Sequence, residues 1–463
     1  MVDLLADLEF LNEQPSGERV LALERIIPRD TVQEILQQTG HASRHCPRLP
    51  HWFMVFYVIS LGLFCRDNYR QVYKWLQRFR PLGTPQRNTL AEARKGLGIP
   101  PLRYLAQRIV RLLCPPDTPG AFYKGLRLMA LDGFVLDLPD SEANDRTFGR
   151  PQSGRGAGAF PQVRVLALCE TGSHVLLRWL IKPLRWGEVS MASWVLRGLT
   201  QGMLLLWDRN FLSYRSLQQV QQQGGQLLAR LKSNFLFEPI QVLADGSFLA
   251  KMYPSSWDRK KDRNGILVRI VEYTLQGCGH ADEGKVHRLL TTLLDAEQYP
   301  AKELIVLYHE RWEEELAIDE LKTHQRERPV LRSQTPAGVI QEIEGLLLAH
   351  FVIRTLMHEA AQSKGLDQDR LSFTATLKIL RCRLPEVPKD ANDQAGREQW
   401  FANLLEEISE EVLPVRRQRI NPRVIKRKMS KWKKKRPQHR NPPRPAKTVR
   451  ESINIRCSVR YCD

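Results

Sequence analysis

The amino-acid sequence predicts an α/β protein: a mixed sheet flanked by helices, with a helical segment before it and a basic tail after it. Three observations predict this. Through the first 120 residues, apolar side chains recur at helical spacing or run continuously between prolines. After Gly125, three consecutive runs rich in Val, Leu and Ile are bounded by Gly, Pro and Ser, and helix-like and strand-like segments then alternate. Strands in series followed by such alternation give a mixed sheet covered by helices. From Arg416 to Arg450 there are sixteen Lys or Arg residues and no Asp or Glu.

Residues 1–120 make up the helical segment. LLADLEFL, HWFMVFYVISLGLF and YRQVYKWLQRF carry its apolar faces, separated by Pro28, Pro47, Pro50 and the turn from Pro81 to Pro85. TLAEARKGLGIPPLRYLAQRIVRLL reads as two short helices about a Gly-Ile-Pro-Pro turn, with Arg87, Arg94, Lys95, Arg103, Arg108 and Arg111 as available cations. Two helices about a glycine-containing turn suit a helix-turn-helix-like DNA contact, although any small helical bundle shows the same pattern. Residues 121–232 form the first part of the core. Strands LRLMALDGFVLDLP, QVRVLALCE and HVLLRWLIKP come first, then a helix from Ser190 to Thr200 and the strand MLLLWD ending at Asp208. The helix SYRSLQQVQQQ and the strand QLLARLK follow, and this order matches the ribonuclease-H-like fold. Between 233 and 287 the alternation stops. FLFEPIQVLADGSFLAKMY and ILVRIVEYTL read as strands of a small β-rich insertion, split by the polar loop PSSWDRKKDRNG. RLLTTLL resumes the sheet in a second core segment, 288–355, where Pro300 opens a helix at the position where its missing N–H costs little. Helices continue through VIQEIEGLLLAHFVIRTLMHEAAQ, LSFTATLKILRC and EQWFANLLEEISEEVL, with 356–414 a carboxy-terminal helical region and 415–463 the basic tail.

A chain of 463 residues exceeds the roughly 250–300 at which one core stops growing, so several domains are expected. The longest charge-free apolar stretch, Pro50 to Cys65, is 16 residues, short of the roughly 20 that cross a bilayer, and reads as a buried helix. No basic segment followed by an apolar core opens the chain, so no membrane partner and a cytoplasmic location are expected. The eight cysteines are scattered without a CxxC pair and read as reduced structural thiols. Net charge is +19, and the segment from Arg416 to Arg450 leaves only +3 for the rest. Its composition, with Pro422, Pro437, Pro442, Pro443 and Pro445, builds no core and remains extended, but it can neutralise many phosphates.

The segment YHERWEEELAIDELK carries the most concentrated chemistry. On a helix of about 100° per residue, Tyr308, Arg311, Glu315 and Lys322 share an arc of about 60°. That places one carboxylate between two phosphate-seeking cations. Asp132 closes the first strand of the core and Asp208 the fourth, and adjacent parallel strands bring such end residues together at a sheet edge. With Glu315 as third ligand, three hard oxygen donors suit Mg²⁺, with Mn²⁺ as a substitute. Two ions about 3.5–4 Å apart would serve an in-line phosphoryl displacement. Taken singly, each acid has a plainer role: a turn residue for Asp132, a helix cap for Asp208, an ion-pair partner of Arg311 for Glu315. Asp137, Asp140 and Asp319 are rivals, the last on the same helical face as Glu315.

On these residues the chain resembles the DDE transposases of the insertion-sequence-four family. Tyr308, Arg311, Glu315 and Lys322 fit the family's Tyr-x2-Arg-x3-Glu-x6-Lys signature, with Trp312 after the arginine. LDGFVLDLPDSEANDRTFGRP resembles the first-aspartate region and WDRNF the second, while TLAEARKGLG and NPRVIKRKMSKWKKKR resemble the two ends. The likeness runs over nearly the whole chain. Asn210 departs from it, standing where a glycine is frequent, as do Glu313 and Glu314, which make the helix more acidic.

The resemblance implies a cut-and-paste transposase acting on double-stranded DNA. Asp132, Asp208 and Glu315 would be the catalytic metal ligands, Arg311 and Lys322 would hold phosphates near the cleaved strand, and Tyr308 would also contact the backbone. Members that cut through a DNA hairpin hold a flipped base on aromatic residues, for which Trp257 and Trp312 are the candidates. The enzyme would bind its element's terminal inverted repeats, hydrolyse the end phosphodiesters and join the 3′-hydroxyls to target DNA. Pairing two ends implies a homodimer in a synaptic complex. Two rivals stay open at this point: a ribonuclease-H-like nuclease that cuts without joining, and a catalytically silent DNA-binding regulator of transposition.

Overall fold

The run LRLMALDGFVLD forms a twelve-residue strand, Leu126–Asp137, from which the rest is laid out. In the computed structural model the described residues are 18–42, 49–77, 83–153, 156–232, 235–276, 284–309, 312–388, 393–414, 424–425, 433–434 and 449–455. They form two compact units, each assembled from separated stretches. One comprises the described residues of Met1–Phe122, Asp132–Gly198 and Glu313–Leu413, the other those of Tyr123–Leu131, Leu199–Trp312 and Pro414–Asp463. Leu126–Asp137 thus gives its first half to one unit and its second half to the other.

The second unit is built on a sheet. The start of Leu126–Asp137 pairs in parallel with Met203–Trp207, matching Arg127 to Met203 and Ala130 to Leu206. Gln226–Arg230 follows in parallel, and then His287–Thr291, Ile266–Leu275, Phe248–Met252 and Gln241–Val242 continue antiparallel. Met203–Trp207 is buried along its whole length, as a parallel strand covered on both faces must be, which is why its sequence reads as unbroken apolar residues. The β-rich segment between the two core segments therefore continues this sheet. Leu128, Leu204, Leu206, Leu228, Val271 and Leu289 form the core with Leu304 and Ile305 of the helix Ala301–His309. Ile453–Ile455, within the region read as tail, adds a strand antiparallel to Ile266–Leu275 because its two isoleucines pack on this core. Most of the basic run itself lies outside the described residues.

The first unit is mainly helical. His51–Leu63 and Pro336–Lys364 pack through a close backbone contact at two glycines: a Cβ on Gly62 would stand 2.6 Å from the Gly345 carbonyl, and one on Gly345 would strike the Val58 carbonyl. Pro336–Lys364 is long and apolar enough to cross a membrane, yet here it is the buried central helix of the unit. Its buried polar residues each have a partner. Glu342 accepts hydrogen bonds from Arg332 Nε at 3.0 Å and from the Ser333 amide and hydroxyl at 3.0 and 2.7 Å. Burial pushes the Glu342 carboxyl up, but Arg332 and Arg94 outweigh it and hold the group below the usual range. Glu344 accepts from Trp179 Nε1 at 2.8 Å and Arg103 Nε at 3.3 Å, and there burial wins, raising its carboxyl. Alongside lie the antiparallel strands Gln162–Glu170 and Leu176–Pro183, the former next to the end of Leu126–Asp137.

Two short helices, Arg87–Leu97 and Pro100–Ile109, flank the Gly-Ile-Pro-Pro turn, where Gly98 takes a φ of +67° that a side chain would resist. The expectation of six available cations there needs correction. Arg94 is only 5% exposed and donates to the Gly338 carbonyl at 3.0 Å, and Arg103 is engaged with Glu344. Helix packing against Pro336–Lys364 buries Arg94, while Arg103 keeps 49% of its side chain exposed beside Glu344.

Candidate active site

Asp132 is half-buried, and its Oδ1 accepts the amide of Gly133 at 2.8 Å, which turns the carboxylate back along its strand. A Cβ on Gly133 would stand 2.8 Å from Glu188 Oε1, so the missing side chain is what admits Glu188, held by Arg164 Nη1 at 3.1 Å. The rivals nearby have structural work. Asp137 Oδ1 accepts from Gln162 Nε2 at 2.7 Å, and Asp140 is ion-paired with Arg150.

Asp208 follows directly on Met203–Trp207 and is also half-buried. The parallel pairing ends at Ala130 and Leu206; Asp208 stands just past its strand as expected, whereas Asp132, expected to close its strand, lies within Leu126–Asp137, which runs on past the paired stretch. Asn210 donates to Asp208 Oδ2 at 3.3 Å, giving the departing asparagine a local role. Trp207 is buried and stacked on Phe211 at 5.7 Å, and its carbonyl accepts from the Tyr308 hydroxyl at 3.2 Å. Tyr308 is 7% exposed. Read as a backbone contact to nucleic acid, it touches protein here and ties the helix Ala301–His309 to the strand end that carries Asp208.

That helix is fixed at its first turn. The Asp245 carboxylate accepts the amide of Ala301 at 2.8 Å and is ion-paired with Arg269, which in turn donates to the Tyr299 carbonyl at 2.7 Å. Burial acts to raise the Asp245 carboxyl, but hydrogen bonds from Ser247 and Ala301, with Arg269, hold it below the usual range.

Glu315 lies on Trp312–Asp319 and is half-buried. Asp319, its rival, is exposed and engaged by its own chain: Thr323 Oγ1 donates to it at 2.7 Å and His324 Nε2 stands 3.4 Å away. From Glu320 to Gln325 the helix opens into a π-turn, so the spacing of about 100° per residue does not extend to Lys322. The π-turn is pinned from inside. Glu320 receives Arg354 Nε at 3.0 Å and Nη2 at 2.6 Å, while His174 Nδ1 lies 3.0 Å and His350 Nε2 3.3 Å from its oxygens. Burial pushes the Glu320 carboxyl up, yet Arg354 and His174 hold it well below the usual range. Burial also lowers His350, leaving it neutral near pH 7, and Nε2–H is then the donor to Glu320. Gln325 completes the anchor, donating to the Gly62 and Leu346 carbonyls at 3.1 and 2.9 Å.

Asp132, Glu315 and Lys322 belong to one unit, Asp208 and Tyr308 to the other. Arg311 and the Trp312 side chain lie outside the described residues. Trp257 is 57% exposed on the short helix Ser256–Lys260, with Arg263 5.8 Å from its ring centre. Among the described residues, no three His, Cys, Asp or Glu side chains are gathered closely enough to hold a metal ion as the chain stands. The donor chemistry nonetheless fits one: three half-buried carboxylates are hard ligands within reach of solvent. Sequence reading missed Asp245, Arg269, Glu320 and Arg354. A charge within an apolar run, as in ILVRIVEYTL and HFVIRTLM, was the signal that a buried partner had to exist.

Comparison with known proteins gives consistent likenesses. Residues 18–107 match the family described as insertion element 4 transposase N-terminal, and residues 123–352 match the transposase DDE domain. The chain is 29% identical over 423 residues to transposase InsG for insertion sequence element IS4 of Escherichia coli K12, covering 87% of this chain and 91% of that one. It is 25% identical over 199 residues to putative transposase InsZ of the same organism, covering 43% and 66%. Among solved structures it is similar to the piggyBac transposase synaptic complex with hairpin DNA, at 10% identity and a TM-score of 0.43 over 86% of this chain and 85% of that one.

Proposed function

This chain belongs to the DDE transposases of the insertion-sequence-four family, and we propose that it moves its element by cutting and pasting. It binds the terminal inverted repeats, hydrolyses the phosphodiester at each end and joins the freed 3′-hydroxyls to target DNA. The observation that supports this reading is the match of residues 123–352, the span that holds Asp132, Asp208 and Glu315, to the transposase DDE domain.

Asp132, Asp208 and Glu315 would hold the metal, two Mg²⁺ ions or Mn²⁺ in their place, which would activate the attacking water or 3′-hydroxyl and stabilise the leaving oxygen. Lys322 and Arg311 bind the flanking phosphates, Arg311 through its planar fork. Tyr308 keeps the end of Met203–Trp207, and with it Asp208, at a fixed height. Trp257 and Trp312 are the aromatic residues proposed to hold an extruded base. The amino-terminal helices and the basic tail supply salt-dependent affinity for DNA, and two copies of the chain pair the two ends. The enzyme works in the cytoplasm, where its DNA lies.

The test is cleavage of a labelled element end by purified protein in Mg²⁺, with target DNA present. Asp132→Ala, Asp208→Ala and Glu315→Ala should each abolish cleavage while retaining DNA binding, and Asp319→Ala should retain both. Joined products separate a transposase from a nuclease. Unchanged cleavage by Asp132→Ala would overturn the assignment.

A further inference from the structure

The helix Glu188–Val195 presents an unusual surface. Trp186, just before it, is 39% exposed, Val189 in its first turn 52% and Trp194 in its last turn 51%. Large apolar groups so exposed and so close in sequence are uncommon on a protein surface with no partner. Each tryptophan also carries a cation. Lys182 Nζ lies 4.7 Å from the Trp186 ring centre, and the Arg197 guanidinium lies 4.4 Å from that of Trp194. Arg178 and Arg185 add two positive charges close in sequence, and the carboxylate of Glu188 is already bonded to Arg164. All these residues belong to one unit.

We propose that this surface is a binding platform for single-stranded DNA, or for duplex DNA whose bases have been unstacked, distinct from the residues assigned to cleavage. Each ring offers a face on which an unpaired base stacks, and each adjoining cation supplies a contact to the phosphate beside it. Eight helical residues rise about 12 Å, so tryptophans flanking and ending this helix can meet different nucleotides of one strand. A second copy of the chain fits less well. A self-complementary contact sets the same patch against itself, and here that would place four cations opposite four cations. The proposal rests on the reading of the chain as a DNA-acting enzyme.

The experiment measures binding of the full chain to a labelled twelve-nucleotide oligothymidine and to a duplex of mixed sequence, across a salt series. Trp194→Ala should weaken binding of the single strand about 5- to 150-fold and leave the duplex within about twofold, while Trp194→Phe restores most of the loss. Lys182→Gln with Arg197→Gln should lower the salt slope for the single strand by about 1.4, at about 0.7 per phosphate contact. Binding unchanged in these variants, with the unaltered chain still binding, overturns the platform alone. A change confined to self-association in sedimentation also overturns it and assigns the face to a protein partner. If the unaltered chain binds neither probe, the reading as a DNA-acting enzyme fails first.

Discussion

Replacing Glu320 by Gln tests how the proposed catalytic helix is held. Arg354 is almost fully buried and bonds Glu320 through Nε at 3.0 Å and Nη2 at 2.6 Å. The substitution leaves the guanidinium buried opposite a neutral amide. Removing one partner of a buried pair costs about 3–5 kcal/mol, mostly because the remaining charge is stranded. At about 2–4 °C per kcal/mol, the melting temperature should fall by roughly 6–20 °C. Arg354→Met strands the carboxylate and should cost a similar amount. Glu320→Gln combined with Arg354→Met removes both charges and should cost several kcal/mol less than the sum of the two. The pH dependence has a definite sign. The carboxyl of Glu320 is held well below its ordinary value of 4.5, so its contribution is complete above that value and is lost as pH falls through the lowered folded value. The gap in melting temperature between the unaltered protein and Glu320→Gln should therefore be constant from pH 7 to about 5 and close only in stronger acid. Calorimetry of the intact chain reads all of this. A change under 1 °C, or a double variant no better than additive, would refute the pairing argument.

Three further outcomes follow from the geometry. Tyr308→Phe removes a hydrogen bond worth about 1 kcal/mol to the Trp207 carbonyl, so single-turnover cleavage should fall while DNA affinity in a gel-shift assay stays the same; a loss of affinity would instead make the hydroxyl a DNA contact. Gly345→Ala drives a methyl group into the Val58 carbonyl, and should destabilise the helical unit by about 1–3 kcal/mol or more in urea unfolding. Converting Lys433, Lys434, Lys435 and Arg436 to Gln should reduce the salt slope of duplex binding by up to about 3.6, at about 0.9 per phosphate, without altering the melting temperature.

Local pattern carried most of the secondary structure. LRLMALDGFVLD, QVRVLALCE and MLLLW read as strands because their apolar content and flanking turns are local facts, and they are strands. The π-turn at Glu320–Gln325 was not legible, since it follows from how Glu320 and Gln325 are gripped by residues far away in the chain. Arg94 was misjudged for the same reason. On its own helix it looks like a surface cation, and only the Gly338 carbonyl and Ser333, some 240 positions away, make it a buried one. Tyr308 was legible as part of a signature but not as a buried residue, because its partner is a main-chain carbonyl that no side-chain pattern announces.

Buried and half-buried charges in this chain divide by what they can do. Arg269, Glu342 and Arg354 are buried, Glu320 keeps only 12% of its side chain exposed, and all four are multiply bonded, which the cost of desolvation demands of any charge kept from water. A carboxylate committed to two or three such bonds is poorly placed to take a metal as well. Asp132, Asp208 and Glu315 are half-buried, so an ion or a phosphate can reach them from solvent. Asp245, itself paired with buried Arg269, caps the first amide of Ala301–His309, and Arg354 locks Glu320. Glu315 stands five residues before Glu320, and a side chain on a helix whose end is gripped loses little freedom when it takes up a ligand. On that argument, loosening the grip on Glu320 should lower cleavage more than it lowers DNA affinity. Glu320→Gln, examined at a temperature where the variant remains folded, should show that signature.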